Sequence, residues 1–463
     1  MSHHGGNCPH ACEKVQMNTP ICDFVAAYAQ KNGLRLHMPG HKGNSLLGFE
    51  ALDVTEIAGA DSLYEADGII RESEENASLL FGCPTLYSTE GSSQCIRAMV
   101  YLIALHAKME GRAPVIWAAR NAHKVLLSAL ALTDTEVVWL YDRQTPSYLS
   151  CRIDPDELDA KLKKAEEKPT AVYVTSPDYL GTLCDIKALS AVCRKHGVLL
   201  AVDNAHGAYL RFLKESLHPM DAGADLCCDS AHKTLPVLTG GAYLHLANHL
   251  PSLLKKNAKQ ALALFGSTSP SYLILQSLDA ANRYLFENSA CYAQAADAVA
   301  GITSKLIAHG YTVMGDEPLK LTLSTKPYGW RGEEFADRLR DANLECEFSD
   351  PDYVCLMLTP QNSDGDIEKI KNAFLKAEKK NSINTLPPSI TKPQKYCSPK
   401  EALFSLSEKL PIEKCEGRVL SAVTVSCPPA VPVLVSGEIV DEGSLEVMRY
   451  YGMTELEVLR VES

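Results

Sequence analysis

A chain of 463 residues, 46% of them hydrophobic, is long enough to bury a large core and to divide into at least two structural domains. Its formal net charge is −12 and its pI about 5.7, and it contains no long Lys/Arg run, so neither a nucleic acid nor an anionic membrane is expected as a partner. Pro, Gly or His interrupts the longest apolar stretches before they reach bilayer-spanning length. The opening MSHHGGNCPHACEKV lacks a basic start followed by an apolar core and does not read as a secretory signal. The 16 scattered cysteines predict reduced thiols and a cytoplasmic location. Cys8, His10 and Cys12 lack a matching second ligand pair, so no metal site is expected.

In chain order, residues 1–50 form an N-terminal arm with a short helix, PICDFVAAYAQ, and the loop LHMPGHKGN. A large domain is expected over 51–300. Its strands are predicted at APVIWAA, EVVWLY, TAVYVTS, GVLLAVD and ADLCCDS, each short, apolar and bounded by turn or helix signals. Continuous apolar runs of this kind are buried parallel strands with helices on both faces. DIKALSAVCRKHG carries helical periodicity and stops on a glycine, completing one β-α-β unit. Over 301–463 the texture changes to a smaller α+β domain. Strands are predicted within IAHGYTVMGD and KLTLSTKPYGW, an amphipathic helix at GEEFADRLRDANL, and a connector at about 380–400. The fold class is therefore α/β.

Four stretches carry chemistry. GVLLAVD places Asp203 at the carboxyl end of a strand, where open α/β sheets bind ligands, although Asp also caps helices and turns there. The next strand, ADLCCDS, runs into Ser230, His232 and Lys233. Two successive strands thus deliver a carboxylate and an amine to one sheet edge. That is what a pyridoxal phosphate site needs: a lysine to form a Schiff base with the aldehyde, and an acid to keep the pyridine nitrogen protonated. Gly91, Ser92 and Ser93 precede a long helical run, so they provide either a phosphate cup or an ordinary N-cap. His123 follows a strand and opens a helix, placed either to stack on a flat cofactor or to be buried with its ring satisfied.

The ordered stretches HMPGHKGN, LYEADGIIRESEENASLLFG, RNAHKVLLSALAL, TSPDYLGTLCDI, VDNAHGAYLRF, DSAHKTLPVLTG, GSTSPSYLILQSLDAA and GRVLSAVTVSCPPAVPVLVSGE resemble the Orn/Lys/Arg decarboxylase family, in its shorter bacterial form. They cover nearly the whole chain. The resemblance implies a fold type I pyridoxal phosphate enzyme, aspartate-aminotransferase-like, with a large, mostly parallel seven-stranded sheet and a smaller C-terminal α+β domain. It implies that Lys233 carries the cofactor, that Asp203 pairs with the pyridine nitrogen and that His123 lies on the ring face. Ala205 and His206 would border the cofactor. Gly91, Ser92 and Ser93 would hold its phosphate, with Ser230 and His232 nearby. Ser267, Thr268 and Ser269 resemble a segment that reaches a neighbouring subunit's phosphate, which implies a homodimer or larger homo-oligomer with shared sites. Departures from the family pattern are Asn204 where Glu is expected, Tyr209 for His, Cys427 and Ala430 in the C-terminal motif, and Gly240 and Gly241 for a more polar turn.

The implied reaction is decarboxylation of a basic amino acid (arginine, lysine or ornithine, with arginine favoured among short-type relatives), a step of polyamine synthesis. A cationic side chain needs acidic partners, and Asp61, Glu65, Asp67 and Glu438 are the candidates, against the alternative of solvated surface acids. The rival readings are a pyridoxal phosphate aminotransferase or lyase, a decarboxylase of a non-basic amino acid, and a non-catalytic binding protein. The last has no use for an intact Lys233 and Asp203.

Overall fold

A computed structural model describes residues 16–142, 147–423 and 430–460. Cys8, His10, Cys12 and Cys427 lie outside the described residues. The main sheet has seven strands: β1 (Thr85–Ser88), β2 (Val115–Ala119), β3 (Glu136–Leu140), β4 (Ala171–Thr175), β5 (Leu199–Asp203), β6 (Leu226–Asp229) and β7 (Ala242–Leu246). Their order is β1-β7-β6-β5-β4-β2-β3, parallel throughout except for β7, which runs antiparallel to both neighbours.

The five strands read from the sequence are β2 to β6. Alternation explains why those strands are apolar throughout. Along β4, Ala171 and Tyr173 pack into the core beneath the helix Gly91–Met109, while Val172 and Val174 enter a second core on the opposite face. Both faces of β5 and β6 are covered in the same way, by Ala201, Leu226 and Cys228 on one side and by Leu200, Val202 and Cys227 on the other. Each such side chain removed from water stabilises the fold by about 1.5–3 kcal/mol for a Val or Leu.

The helices also follow the sequence. The first spans Pro20–Gln30, with proline at its start. The helix Ile186–His196 is capped by Asp185, whose carboxylate accepts the Ala188 N–H, and it ends on Gly197 in the left-handed region.

Beyond the main sheet, β8 (Thr312–Met314), β9 (Lys320–Ser324), β10 (Phe348–Ser349) and β11 (Tyr353–Met357) form an antiparallel sheet in the order β10-β11-β9-β8. The helix Gly332–Asp341 packs on it through Phe335, Ala336 and Leu339. A third sheet joins β12 (Ser407–Pro411), β13 (Leu420–Ala422) and β14 (Glu455–Leu459) in the order β12-β14-β13.

The segment after residue 430 returns to the main sheet. Arg120, just past β2, donates to the carbonyls of Pro432 and Val433 and ion-pairs with Glu438 at 3.2 Å, with both side chains 5% exposed. Ala430, where the resemblance predicts glycine, holds φ +55°, and its carbonyl accepts the Lys124 N–H. Among the described residues no helix is long and apolar enough to cross a membrane, and no disulfide is present.

Candidate active site

The carboxyl ends of β5 and β6 open into a cavity of about 580 Å³. Asp203, Ala205 and His206 come from the β5 end; Ser230, His232 and Lys233 come from the β6 end. Gly91, Ser92 and Ser93 at the start of the helix Gly91–Met109, and His123 after β2, complete the residues read from the sequence. Parallel pairing of β5 with β6 is what puts the acid and the amine side by side on one edge.

Asp203 is 2% exposed. It accepts from the Tyr173 hydroxyl at 3.2 Å, the Ala205 N–H at 3.2 Å and the Cys228 thiol at 3.6 Å. Burial raises its pKa, against the opposing pull of those donors and of Lys233. A buried carboxylate of this kind gains by meeting a positively charged N–H. At the other end, the Ser92 and Ser230 hydroxyls bond each other at 2.8 Å. The Gly91 N–H is tied to the Gly240 carbonyl, and the helix start has no side-chain cap. The first-turn N–H groups and hydroxyls therefore suit an anion.

Gly240 explains the departure in its turn. It holds φ +100°, and a Cβ there would lie 2.9 Å from the Thr89 carbonyl, so a side chain would push the turn off the helix start. The Gly241 carbonyl accepts from His232 Nδ1 at 2.9 Å, which leaves the other ring nitrogen of His232 unprotonated.

His123 Nδ1 accepts the Val125 N–H at 3.2 Å and so opens the helix Val125–Thr133. Burial, followed by the charges of Lys233, Lys124 and Arg97, lowers its pKa to about 4. The folded protein therefore keeps this imidazole neutral while the unfolded chain protonates it near pH 6.5. The stability that His123 contributes is present above pH 6.5 and is lost as pH falls towards about 4. The stability gap between wild type and His123→Phe is expected to narrow over that window, by up to about 1.4 kcal/mol per pH unit. Urea unfolding of the cofactor-free proteins at several pH values checks it; a gap constant with pH overturns it.

Several wall residues were not read from the sequence. Asn121, Thr175, Tyr179 and Glu347 line the cavity. Both polar atoms of the Asn121 side chain and the Thr175 hydroxyl are buried without a hydrogen-bond partner, so the wall presents donors and acceptors to whatever fills it. The Glu347 carboxylate accepts from the Tyr179 hydroxyl at 3.1 Å.

The proposed substrate-binding acids lie elsewhere. Asp61 is buried and holds a turn by accepting the N–H groups of Ser62, Asp67, Gly68 and Ile70. Glu65 is exposed, and Glu438 is paired with Arg120. Asp67 is exposed as well, and none of the four lines the cavity. Ser267, Thr268 and Ser269 are exposed outside it too, the Ser267 N–H donating to Glu90.

Asn204, another departure, faces inward. Its Nδ2 donates to Asp229 at 2.7 Å, and the other oxygen of Asp229 accepts from His218 at 3.0 Å and His245 at 2.9 Å. A glutamate at 204 would set a second carboxylate against Asp229.

An anion cup, an amine, a buried carboxylate and partnerless polar atoms in one cavity fit a flat phosphorylated aldehyde with a basic ring nitrogen. The comparisons agree in fold and sequence. Residues 19–305 match the family model for the Orn/Lys/Arg decarboxylase major domain, and residues 378–458 match its C-terminal domain. An arginine decarboxylase of Halalkalibacterium halodurans is 29% identical, over 94% of this chain and 93% of its own length. One from Bacillus subtilis is 27% identical over 93% of each. Among solved structures, the Francisella novicida lysine decarboxylase superposes with a TM-score of 0.79 at 15% identity, over 96% of this chain and 81% of that one.

Proposed function

The chain belongs to the Orn/Lys/Arg decarboxylase family, and from that premise we propose that it converts a basic L-amino acid, arginine in the first instance, to its amine and carbon dioxide, with pyridoxal phosphate in the cavity described above. The observation that carries this reading is the meeting of Lys233, Asp203 and the serine-lined helix start in one cavity. The full-length similarity to arginine decarboxylases favours arginine.

When bound, pyridoxal phosphate supplies an aldehyde for an amine to condense with and a ring that takes up the electrons of the broken bond to the carboxylate. The chain's residues do the rest. Lys233 would provide the amine that anchors the cofactor. Asp203, buried and oriented by Tyr173 and Ala205, supplies the negative charge that holds a ring nitrogen protonated. Ser92, Ser93 and Ser230 bind the phosphate with hydroxyls and first-turn N–H groups. His123 and His232 remain neutral because burial depresses their pKa values, so they add no positive charge to compete with the substrate's. Glu347 supplies the wall carboxylate for the substrate's cationic end, the role first expected of Asp61, Glu65 and Glu438.

A homodimer with shared sites is part of the same reading. Leu34, Leu36, Leu46 and Leu47 in the N-terminal arm are 76–87% exposed, an apolar surface that a second copy would cover. The many thiols support a cytoplasmic location.

The deciding experiment incubates purified, pyridoxal phosphate-loaded protein with arginine, lysine, ornithine and neutral amino acids, and identifies amines by mass spectrometry. One basic amine as product is expected, agmatine foremost. Keto acids in place of amines would establish an aminotransferase, and no amine from any basic substrate would overturn the reading.

A further inference from the structure

Lys233 is linked to a second lysine through one imidazole. His206 Nε2 lies 2.7 Å from Lys233 Nζ, and His206 Nδ1 lies 2.8 Å from Lys320 Nζ. Lys320 opens β9, in the four-stranded sheet, and its side chain is 1% exposed. Two further groups surround its nitrogen: the Glu317 carboxylate at 2.7 Å and the Asp178 carbonyl at 3.2 Å. The Tyr209 hydroxyl donates to Glu317 at 3.5 Å, so the unusual Tyr209 supports the same cluster.

The charge of Lys320 fixes the protons here: its 2.7 Å ion pair with the Glu317 carboxylate favours the ammonium form. An ammonium carries three N–H donors and no acceptor. Lys320 faces three acceptors, one of them His206 Nδ1. That nitrogen must therefore accept, and the single proton of the neutral ring must sit on Nε2. Nε2 then donates, and its neighbour at 2.7 Å, Lys233 Nζ, accepts with a lone pair that only a neutral amine has. Moving one proton from Lys320 to Glu317 changes nothing. The amine of Lys320 would accept back from the acid and still donate its two N–H groups to Asp178 and His206.

We propose that Lys320 is a positioning residue for Lys233: by donating to Nδ1 of His206 it places the ring proton on Nε2, and this holds Lys233 as the neutral amine that condenses with an aldehyde. Burial above all, with the charge of Lys320 beside it, opposes a second proton on His206 and so favours the neutral ring. The edge of the ring is fixed by Tyr179, with centroids 5.1 Å apart. A charged Lys233 would in turn favour the Asp203 carboxylate, and this opposes the effect of His206. The inference rests on Lys233 being the cofactor-binding lysine.

The test uses the cofactor-free, full-length protein and two readouts. In protein labelled with 15N-histidine, NMR reports which nitrogen of His206 carries the proton, the signal being assigned with His206→Gln. A proton on Nε2 alone is expected; a proton on Nδ1, or on both nitrogens, overturns the proposal. Pulsed acetylation followed by mass spectrometry gives the pH midpoint at which Lys233 becomes reactive. In Lys320→Met combined with Glu317→Gln, which avoids a stranded carboxylate, the midpoint is expected to rise by at least about one pH unit, a roughly tenfold slower labelling below it. An unmoved midpoint overturns the proposal, and if the double variant does not fold, the wild-type spectrum decides alone. Neither readout involves substrate, so failure here is separate from failure to form an amine.

Discussion

Lys233→Ala is expected to lower amine formation by at least about 10⁴-fold while leaving the fold intact. A nucleophile held in place is worth effective molarities of about 10⁵–10⁸ M, and free amines in solution do not replace it. The side chain is half-buried on the cavity wall, and its anchoring contact to His206 is local to the site. Removing it opens no space in the core, because the apolar packing of this turn comes from Ala231 and Leu235. Amine product by mass spectrometry, alongside urea unfolding, separates the two effects. Activity within tenfold of wild type would remove Lys233 from the reaction, and an unfolded variant would assign it a structural role instead.

Asp229→Ala is expected to destabilise the protein by about 3–5 kcal/mol, more than any surface substitution. Asp229 is 0% exposed, and its two oxygens accept from Asn204, His218 and His245. Truncation strands three buried donors, and the loss of one partner from a buried polar cluster costs about 3–5 kcal/mol. The two histidines hold the carboxylate well below its usual range against the effect of burial. Its contribution is therefore present above about pH 3.9, the unfolded value, and is lost only at lower pH. Asp229 ends β6, and Asn204 follows Asp203 directly, so cofactor affinity should weaken together with stability. Urea unfolding at pH 7 measures the first effect and cofactor titration the second. A loss under 1 kcal/mol would show that the donors find other partners.

The sequence made the centre of this molecule legible because its strands are buried on both faces. β2 to β6 are continuous apolar runs, and their ends display Asp203 and Lys233. β1 and β7 escaped that reading. β1 is only four residues long, with Thr and Ser at its ends, and β7 carries His245, whose polarity is satisfied by Asp229 on the neighbouring strand. That the candidate substrate acids lie away from the cavity is hidden in the sequence for a related reason. Nothing local tells that Asp61 is consumed by backbone N–H groups, or that Glu438 pairs with an arginine 318 positions away. Lys320 opens β9 of the second sheet and Glu347 lies just before β10, so no motif around Lys233 announces them. A lysine at the start of a short strand reads as an exposed edge charge until its three acceptors are seen.

The Arg120–Glu438 pair has an evolutionary consequence. Because both charges are shut away from water and Arg120 also grips the Pro432 and Val433 carbonyls, neither can be lost singly without stranding its partner. Descendants of this sequence should therefore keep both residues or exchange both for a neutral pair. C-terminal segments transplanted between relatives should be tolerated only when position 120 travels with them.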